Sequence, residues 1–440
     1  MKLFVTIYEE TAEAAIDAIR ALRLEHDGVE VRAERFPSID LDAIRAATAK
    51  PVILTYRGGR VPDIARALQA GIDFVDVEWH EGVEVLAPER TVISHHDYEG
   101  MHDVESIMQK MLAYGCAHTK LAATPQNFAD NERLLRAQSA ERRGQKPGGS
   151  SSALCALPSA LSVIGMGERG LYSRILAPFR GAALAFVAAG NVAAPGQLTL
   201  QRALDIYGRD PQSADKVFAI AGNPAGHSLS PSIHNRLFRE KGVSAAYTIA
   251  SVERFGEITD AFLRGEPCGL SVTTPFKDDA FAFAREHDAE IGSNAQRAGA
   301  VNTLVNLGDR ILADNTDVDG FAALLPRDAH RAAVLGAGGT ARAALVALAN
   351  AGIEATVYNR TVSKGNAALE LVADFKGDLI INTLPSGIDV TIPRCETYIE
   401  AAYGGAPREV DARHRIGGLE LLHAQAVRQH ELFMKVLNGF

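Results

Sequence analysis

Cysteine is scarce and scattered in this chain: Cys116, Cys155, Cys268 and Cys395 are the four, with no C-x-x-C pair among them. That spacing excludes a disulfide framework and a thiolate zinc site, and leaves reduced structural thiols as the expectation. Long apolar runs are also missing, since none reaches the ~18 residues of a membrane span. The opening MKLFVTIYEETAE turns acidic where a secretory leader would carry its apolar core, so a cytoplasmic location is expected. Basic charge is in deficit, with 45 Lys and Arg against 54 Asp and Glu for a formal −9, and the basic residues form no block. Nucleic acid and anionic membranes are therefore not expected as partners, and any anionic substrate must be gripped locally. No repeat at solenoid periods is present either.

What is there is an ordinary globular composition, 47% hydrophobic with 39 glycines, in 440 residues. A single core stops growing near ~250–300 residues, so two domains are expected. Up to about Ala193 short apolar or β-branched runs alternate with amphipathic stretches of helical length. The runs are KLFVTIY, GVEVRAE, PVILTYR, DFVDVEW, TVISHH, HTKLAA, ALSVIGMG and AALAFVAAG. Eight βα units over ~200 residues suggest a parallel (β/α)8 barrel, with an open doubly wound sheet as the rival. A polar connector, Asp205 to Lys216, precedes a fresh strand, VFAIAG, and the βα rhythm restarts there. The stretch from Glu141 to Ser152, rich in Gly, Ser and basic residues, reads as an exposed loop.

The segment AAVLGAGGTARAALVALANAG sets Gly336, Ala337, Gly338 and Gly339 between a strand and an alanine-rich helix. Glycines there let the backbone approach a pyrophosphate at the helix N-terminus. The next strand, ATVYNRT, arrives ~20 residues later, where such a unit reads the adenosine ribose. Asn359, Arg360 and Thr361 stand in place of the usual acidic residue. A guanidinium pairs bidentately with a 2′-phosphate, so NADP is expected over NAD.

Ahead of that unit lie the polar clusters GHSLSPSIHN, SVTTPFKDD, GAVNTL and ADNTDVDG. Each alone is compatible with a turn. Together they resemble shikimate dehydrogenase, from Val217 to nearly the end of the chain. The resemblance implies that Ser228 and Ser230 bind a substrate carboxylate and that Thr273, Lys277, Asn302 and Asp317 line the site. From GLELLHAQA it implies that Gly418 lies at the cofactor and Gln425 at the substrate, both reached from the cofactor lobe. Hydride delivery to a ketone builds negative charge on oxygen, which a cationic lysine beside a carboxylate stabilises and protonates. Lys277 and Asp317 are the expected dyad. Two departures stand out: Ser271 replaces the usual Asn, and EVDARHR stands for the customary D-V-V-Y-N-P, so a tyrosine contact is expected to be lost.

In a (β/α)8 barrel functional residues gather at the C-terminal strand ends. Here those ends carry Glu30, Arg32, Arg57, Glu78, His96 and Lys120, then Arg174 after the seventh strand and Gln197 after the eighth. Through E-V-R-A-E, T-Y-R, S-H-H-D-Y, T-K-L-A-A-T-P, Y-S-R and A-P-G-Q, residues Met1 to Leu200 resemble type I 3-dehydroquinate dehydratase. The resemblance implies a Schiff base on Lys120, proton transfer by His96, a carboxylate clamp at Arg174 and closure by Gln197. Burial among Arg32, Arg57 and Arg174 is expected to lower the lysine's pKa. Val61 occupies the position of the family's acid that orients the catalytic histidine, and Ala193 that of its loop serine. His96 is therefore expected to lack an orienting carboxylate.

The expected class is α/β: a TIM barrel over 1–210, then a two-lobed unit with a shikimate-binding lobe at 216–316. A Rossmann-type NADP lobe follows at 317–440, its C-terminal helices returning to the substrate lobe. The implied chemistry is dehydration of 3-dehydroquinate to 3-dehydroshikimate followed by NADPH reduction to shikimate. The rival readings are a degenerate ligand-binding barrel joined to a reductase, and a quinate dehydrogenase using NAD.

Overall fold

The computed structural model describes residues 1–36, 38–57, 63–144, 161–405 and 408–437. Val61 lies outside them. So does the loop foreseen at Glu141 to Ser152 from residue 145 onward, its first four residues being taken up by the helix Phe128–Gly144. The chain divides into two compact units, Met1–Asp215 with Phe238–Val252, and Lys216–Leu237 with Glu253–Phe440.

The first unit is built on eight parallel strands: β1 (Lys2–Ile7), β2 (Gly28–Arg32), β3 (Val52–Thr55), β4 (Phe74–Glu78), β5 (Thr91–Asp97), β6 (His118–Ala123), β7 (Leu161–Gly165) and β8 (Leu184–Ala188). Each pairs with its sequence neighbour from β1 to β7, and β8 pairs with β1. The strands read as continuous apolar runs because both faces are covered, one by helices and one by the barrel interior. At the seam between β7 and β8 the Ser162 hydroxyl donates to the Leu184 carbonyl at 2.7 Å and accepts from the Leu184 amide at 3.0 Å. The Ala183 amide adds a bond to the Leu161 carbonyl at 3.2 Å. Phe4, Ile53, Phe74, Val92, Leu184 and Phe186 form one apolar cluster. Two residues further along four of these strands come Thr6, Thr55, Asp76 and Ser94, all buried, so a polar layer lies over the apolar one on the same inward face.

After β9 (Lys216–Gly222) and β10 (Ala245–Ser251), the latter grouped with the first unit, the second unit continues with β11 (Gly269–Val272), β12 (Glu290–Ile291), β13 (Thr303–Asn306) and β14 (Ile311–Asp314). Within it β9 and β11 are parallel, β11, β13 and β14 run antiparallel in turn, and β12 is parallel to β14. The other sheet holds β15 (Arg331–Leu335), β16 (Glu354–Asn359), β17 (Ala367–Ala368), β18 (Leu379–Asn382), β19 (Cys395–Glu400) and β20 (Ala412–Ile416). It is wholly parallel in the order 17-16-15-18-19-20, a doubly wound arrangement whose strand order reverses at β15. The terminal helix Gly418–Leu437 returns to the substrate sheet, where Gln429 bonds Ser271 and Thr303. No helix among the described residues is long and apolar enough to cross a membrane.

Candidate active sites

Lys120 sits mid-strand on β6, 5% exposed, with its ammonium 2.8 Å from Glu30 Oε1 and 3.9 Å from Asp76 Oδ2. It lies 3.8 Å from the centre of the Phe186 ring. Glu30 in turn accepts from Thr6 at 2.8 Å and Thr55 at 3.2 Å. Thr6 accepts from Gln197 Nε2 at 3.0 Å, and Gln197 Oε1 accepts from the Ala193 amide at 3.0 Å. A single hydrogen-bonded path thus runs from the loop after β8 to the lysine.

A second path holds His96. Its neighbour His95 faces outward, edge-on to Trp79 at 5.9 Å, while His96 turns inward as the alternation requires. Glu78, at the end of β4, puts Oε2 3.0 Å from His96 Nδ1 and accepts the His96 amide at 2.9 Å. Arg57 Nη2 lies 3.4 Å from His96 Nε2 and grips Asp76 at 2.6 and 3.0 Å. The absence of an orienting carboxylate, expected from Val61, is corrected: Glu78 supplies one from a different strand. Glu78 on Nδ1 and an arginine donor on Nε2 together specify the Nδ1–H tautomer, with the Nε2 lone pair facing the site.

Burial, then Arg57, depress the His96 pKa to about 4, with Glu78 pulling the other way. Burial works to raise Glu30, but Lys120 and Arg32 outweigh it and hold the carboxyl at about 2. Asp76 is likewise driven far down, Arg57 and Lys120 overcoming its desolvation. The expected belt of cations around Lys120 is therefore corrected. Its nearest charges are carboxylates, because Arg57 is neutralised by Asp76 and Glu78, and Arg32 by Glu34 at 2.6 Å. Arg174 differs: it donates to the carbonyls of Gly165 at 2.8 Å and Pro195 at 3.3 Å and has no carboxylate partner among the described residues. Burial lowers it to about 10, which still leaves it cationic at neutral pH.

In the second unit Lys277 opens the helix Lys277–Glu286 and ion-pairs with Asp317. The other Asp317 oxygen accepts from Asn302 at 2.9 Å, and Asn302 also reaches Thr316, which donates to Gln425 Oε1 at 3.0 Å. Lys277, Asp317, Asn302 and Gln425 line a cavity of about 120 Å³ with Ser230, Thr273 and Gly418. Ser228, 2% exposed, sits two residues before the start of the helix Ser230–Glu240 and hydrogen-bonds Tyr403, whose pKa burial raises.

Sequence reasoning missed two residues here. Tyr403 lines the cavity from the chain just after β19, so the expected loss of a tyrosine contact is corrected; EVDARHR instead runs into the edge strand β20, which includes its Arg413 and Arg415. A tyrosine three residues past a strand end was the available signal. Gln429, 1% exposed, accepts from Ser271 at 2.6 Å and donates to Thr303 at 2.8 Å, filling the space that a serine at 271 leaves. It is one turn beyond Gln425, on the same helix face.

Next to this cavity is a cleft of about 480 Å³ lined by Gly336, Ala337, Gly338, Gly339, Asn359 and Arg360, among others. Gly336 has φ 101°, the left-handed region that glycine tolerates. A side chain built on Gly338 would meet nothing within 4 Å, so the backbone faces open space. The helix Gly339–Asn350 has no side-chain cap and no acidic residue in its first turn, which suits an anion at its N-terminus. Arg360 is exposed at the rim and makes no ion pair among the described residues, and Thr361 follows it, its carbonyl accepting from Asn359. The cleft therefore fits a phosphorylated dinucleotide.

Residues 3–213 match the family model for type I 3-dehydroquinase, and residues 220–304 match that for the shikimate dehydrogenase substrate binding domain. A pentafunctional AROM polypeptide of Zygosaccharomyces rouxii is 31% identical over 429 residues, covering 88% of this chain and 25% of that one. The chloroplastic bifunctional 3-dehydroquinate dehydratase/shikimate dehydrogenase of Arabidopsis thaliana is 27% identical over 412 residues, covering 82% and 64%. The chain thus spans a quarter and just under two thirds of the lengths of these relatives. Among solved structures, the dehydroquinate dehydratase and shikimate dehydrogenase from S. pombe AroM is 22% identical with a TM-score of 0.39, covering 99% of this chain and 98% of its own. A shikimate 5-dehydrogenase from Thermus thermophilus, in complex with NADP(H) and shikimate, is 28% identical with a TM-score of 0.43, covering 49% and 92%.

Proposed function

We propose that the chain, whose residues 3–213 match type I 3-dehydroquinase and residues 220–304 the shikimate dehydrogenase substrate binding domain, carries out two consecutive steps on one six-membered ring. The barrel dehydrates 3-dehydroquinate to 3-dehydroshikimate, and the second unit reduces that ketone to shikimate with NADPH. The observation that carries the reading is the pair of lysines, buried Lys120 between Glu30 and Asp76, and half-buried Lys277 on Asp317, each held against carboxylates beside polar groups suited to the chemistry.

In the barrel, Lys120 attacks the ketone as the amine, and the two protons its nitrogen gives up leave with the ketone oxygen as water, so that an iminium remains on the nitrogen. His96 Nε2 removes the proton from the adjacent carbon and returns one to the departing hydroxyl; water then releases the product from the lysine. Glu78 keeps the imidazole in the tautomer this requires. Arg174, the half-buried cation without a carboxylate partner among the described residues, binds the substrate carboxylate, Arg32 adds positive potential, and Gln197 closes the mouth.

In the second unit Ser228, Ser230 and Tyr403 hold the carboxylate, while Thr273, Asn302 and Gln425 fix the ring hydroxyls. A nicotinamide bound in the neighbouring cleft supplies the hydride. Gly336 to Gly339 and the uncapped helix hold its pyrophosphate, Asn359, Arg360 and Thr361 its 2′-phosphate, and Gly418 borders the reacting end. Lys277 Nζ carries the proton that the nascent alkoxide takes, and Asp317 keeps that nitrogen aimed.

Borohydride added with dehydroquinate should trap a mass increase on the peptide containing Lys120, and a folded protein without that adduct sinks the dehydratase step. In the coupled assay from dehydroquinate with NADPH, Lys120→Ala should abolish flux yet spare shikimate oxidation, and Lys277→Ala should do the reverse.

A further inference from the structure

Thr340 stands where the two cavities of the second unit meet. It lines both the substrate cavity and the dinucleotide cleft, as Lys277 does. The Lys277 ammonium donates to Thr340 Oγ1 at 2.9 Å while also pairing with Asp317. Gly339, the residue before it, makes the approach possible: a side chain there would come within 3.1 Å of Lys277 Cδ and 3.3 Å of its Cβ. An ammonium has three donors, and two are now committed to fixed acceptors, one from the helix Thr316–Leu324 and one from the first turn of the helix Gly339–Asn350. The third is left to point at substrate.

We infer that Thr340 is a positioning residue of the reductase step, its hydroxyl aiming the Lys277 nitrogen. The inference rests on the reductase reading given above. Asp317 alone would fix one direction, whereas two acceptors from different elements fix the nitrogen in space.

The test compares Thr340→Val, which keeps the shape and removes the hydroxyl, with Thr340→Ser, which keeps the hydroxyl, both in the full chain. Loss of a hydrogen bond to a charged group should lower kcat for dehydroshikimate reduction about 10-fold, with KM changed less than about 2-fold. The serine variant should restore kcat. In cofactor-free protein at one fixed pH, acetylation of Lys277 read by peptide mass spectrometry should be faster in the valine variant, whose ammonium is held by one acceptor fewer, and return to the wild-type rate in the serine variant. Thr340→Ala serves in place of the valine variant if that one does not fold. If wild type shows no NADPH-dependent turnover, the reductase reading fails, while the acetylation rates still judge Thr340. Wild-type turnover with unchanged kcat and acetylation rate in Thr340→Val overturns the inference, as does a fall in kcat that serine does not restore.

Discussion

Whether His96 acts as a base is decided by two charges the motif around it does not contain. Its depressed pKa, about 4, means the imidazole is neutral through the physiological range, so the acid limb of dehydratase kcat/KM should fall near pH 4 rather than near 6.5. Glu78→Gln removes the group that selects the tautomer. It should lower kcat by about 10²–10⁴-fold, by analogy with other histidines deprived of their carboxylate. Borohydride trapping on Lys120 should persist in that variant; loss of trapping would place Glu78 in lysine chemistry instead. Arg174→Ala withdraws the cation left without a carboxylate, and its main effect should be on KM for dehydroquinate, raised on the order of 100-fold if two charged hydrogen bonds are lost. An unchanged KM would assign the substrate carboxylate to another residue.

At the scale of elements, the barrel's strands were legible because their apolar runs are uninterrupted, and all eight appear in the sequence order expected. The closing seam was not legible. Ser162 lies mid-strand in β7 like any small residue, yet its hydroxyl serves both polar groups of Leu184. Ser162→Ala should strand that buried amide and carbonyl and cost about 1–3 kcal/mol. Thermal unfolding should register this as a drop of several degrees, and an unchanged midpoint would show that the seam is closed by other contacts. Gly339 and Thr340 show the same limit: a glycine loop before a helix is readable as a phosphate site, whereas the lysine lying against it comes from a strand–helix junction some sixty positions earlier.

Across the whole molecule, three histidines of depressed pKa couple folding to acidity. His96 is held at about 4, and His118 and His234 at about 3, in each case chiefly by burial. These values lie below the 6.5 of an unfolded imidazole, so the unfolded chain binds more protons between the two. Stability is therefore complete above pH 6.5 and is lost as pH falls towards 3, each histidine contributing a slope of about 1.4 kcal/mol per pH unit. Glu30, depressed to about 2, adds a loss of the same sign at lower pH. His118 has no hydrogen-bond partner on either ring nitrogen among the described residues. His118→Leu should therefore hold stability at pH 7 while flattening the decline to pH 5. A denaturation series at the two pH values checks this, and an undiminished decline would put the proton uptake elsewhere.

By itself the sequence determined the barrel, the doubly wound sheet, both lysines, the Asp317 partner and the glycine-lined cleft. Each of these is written in local periodicity or in a short contiguous motif. Tertiary structure alone decided which carboxylate serves His96, which tyrosine reaches Ser228, and what fills the space above Ser271. It also decided that the segment Phe238–Val252 packs with the first unit although it follows the connector. In the active-site cases the partner comes from a different strand or helix. Its distance is fixed by sheet register and helix packing rather than by spacing along the chain.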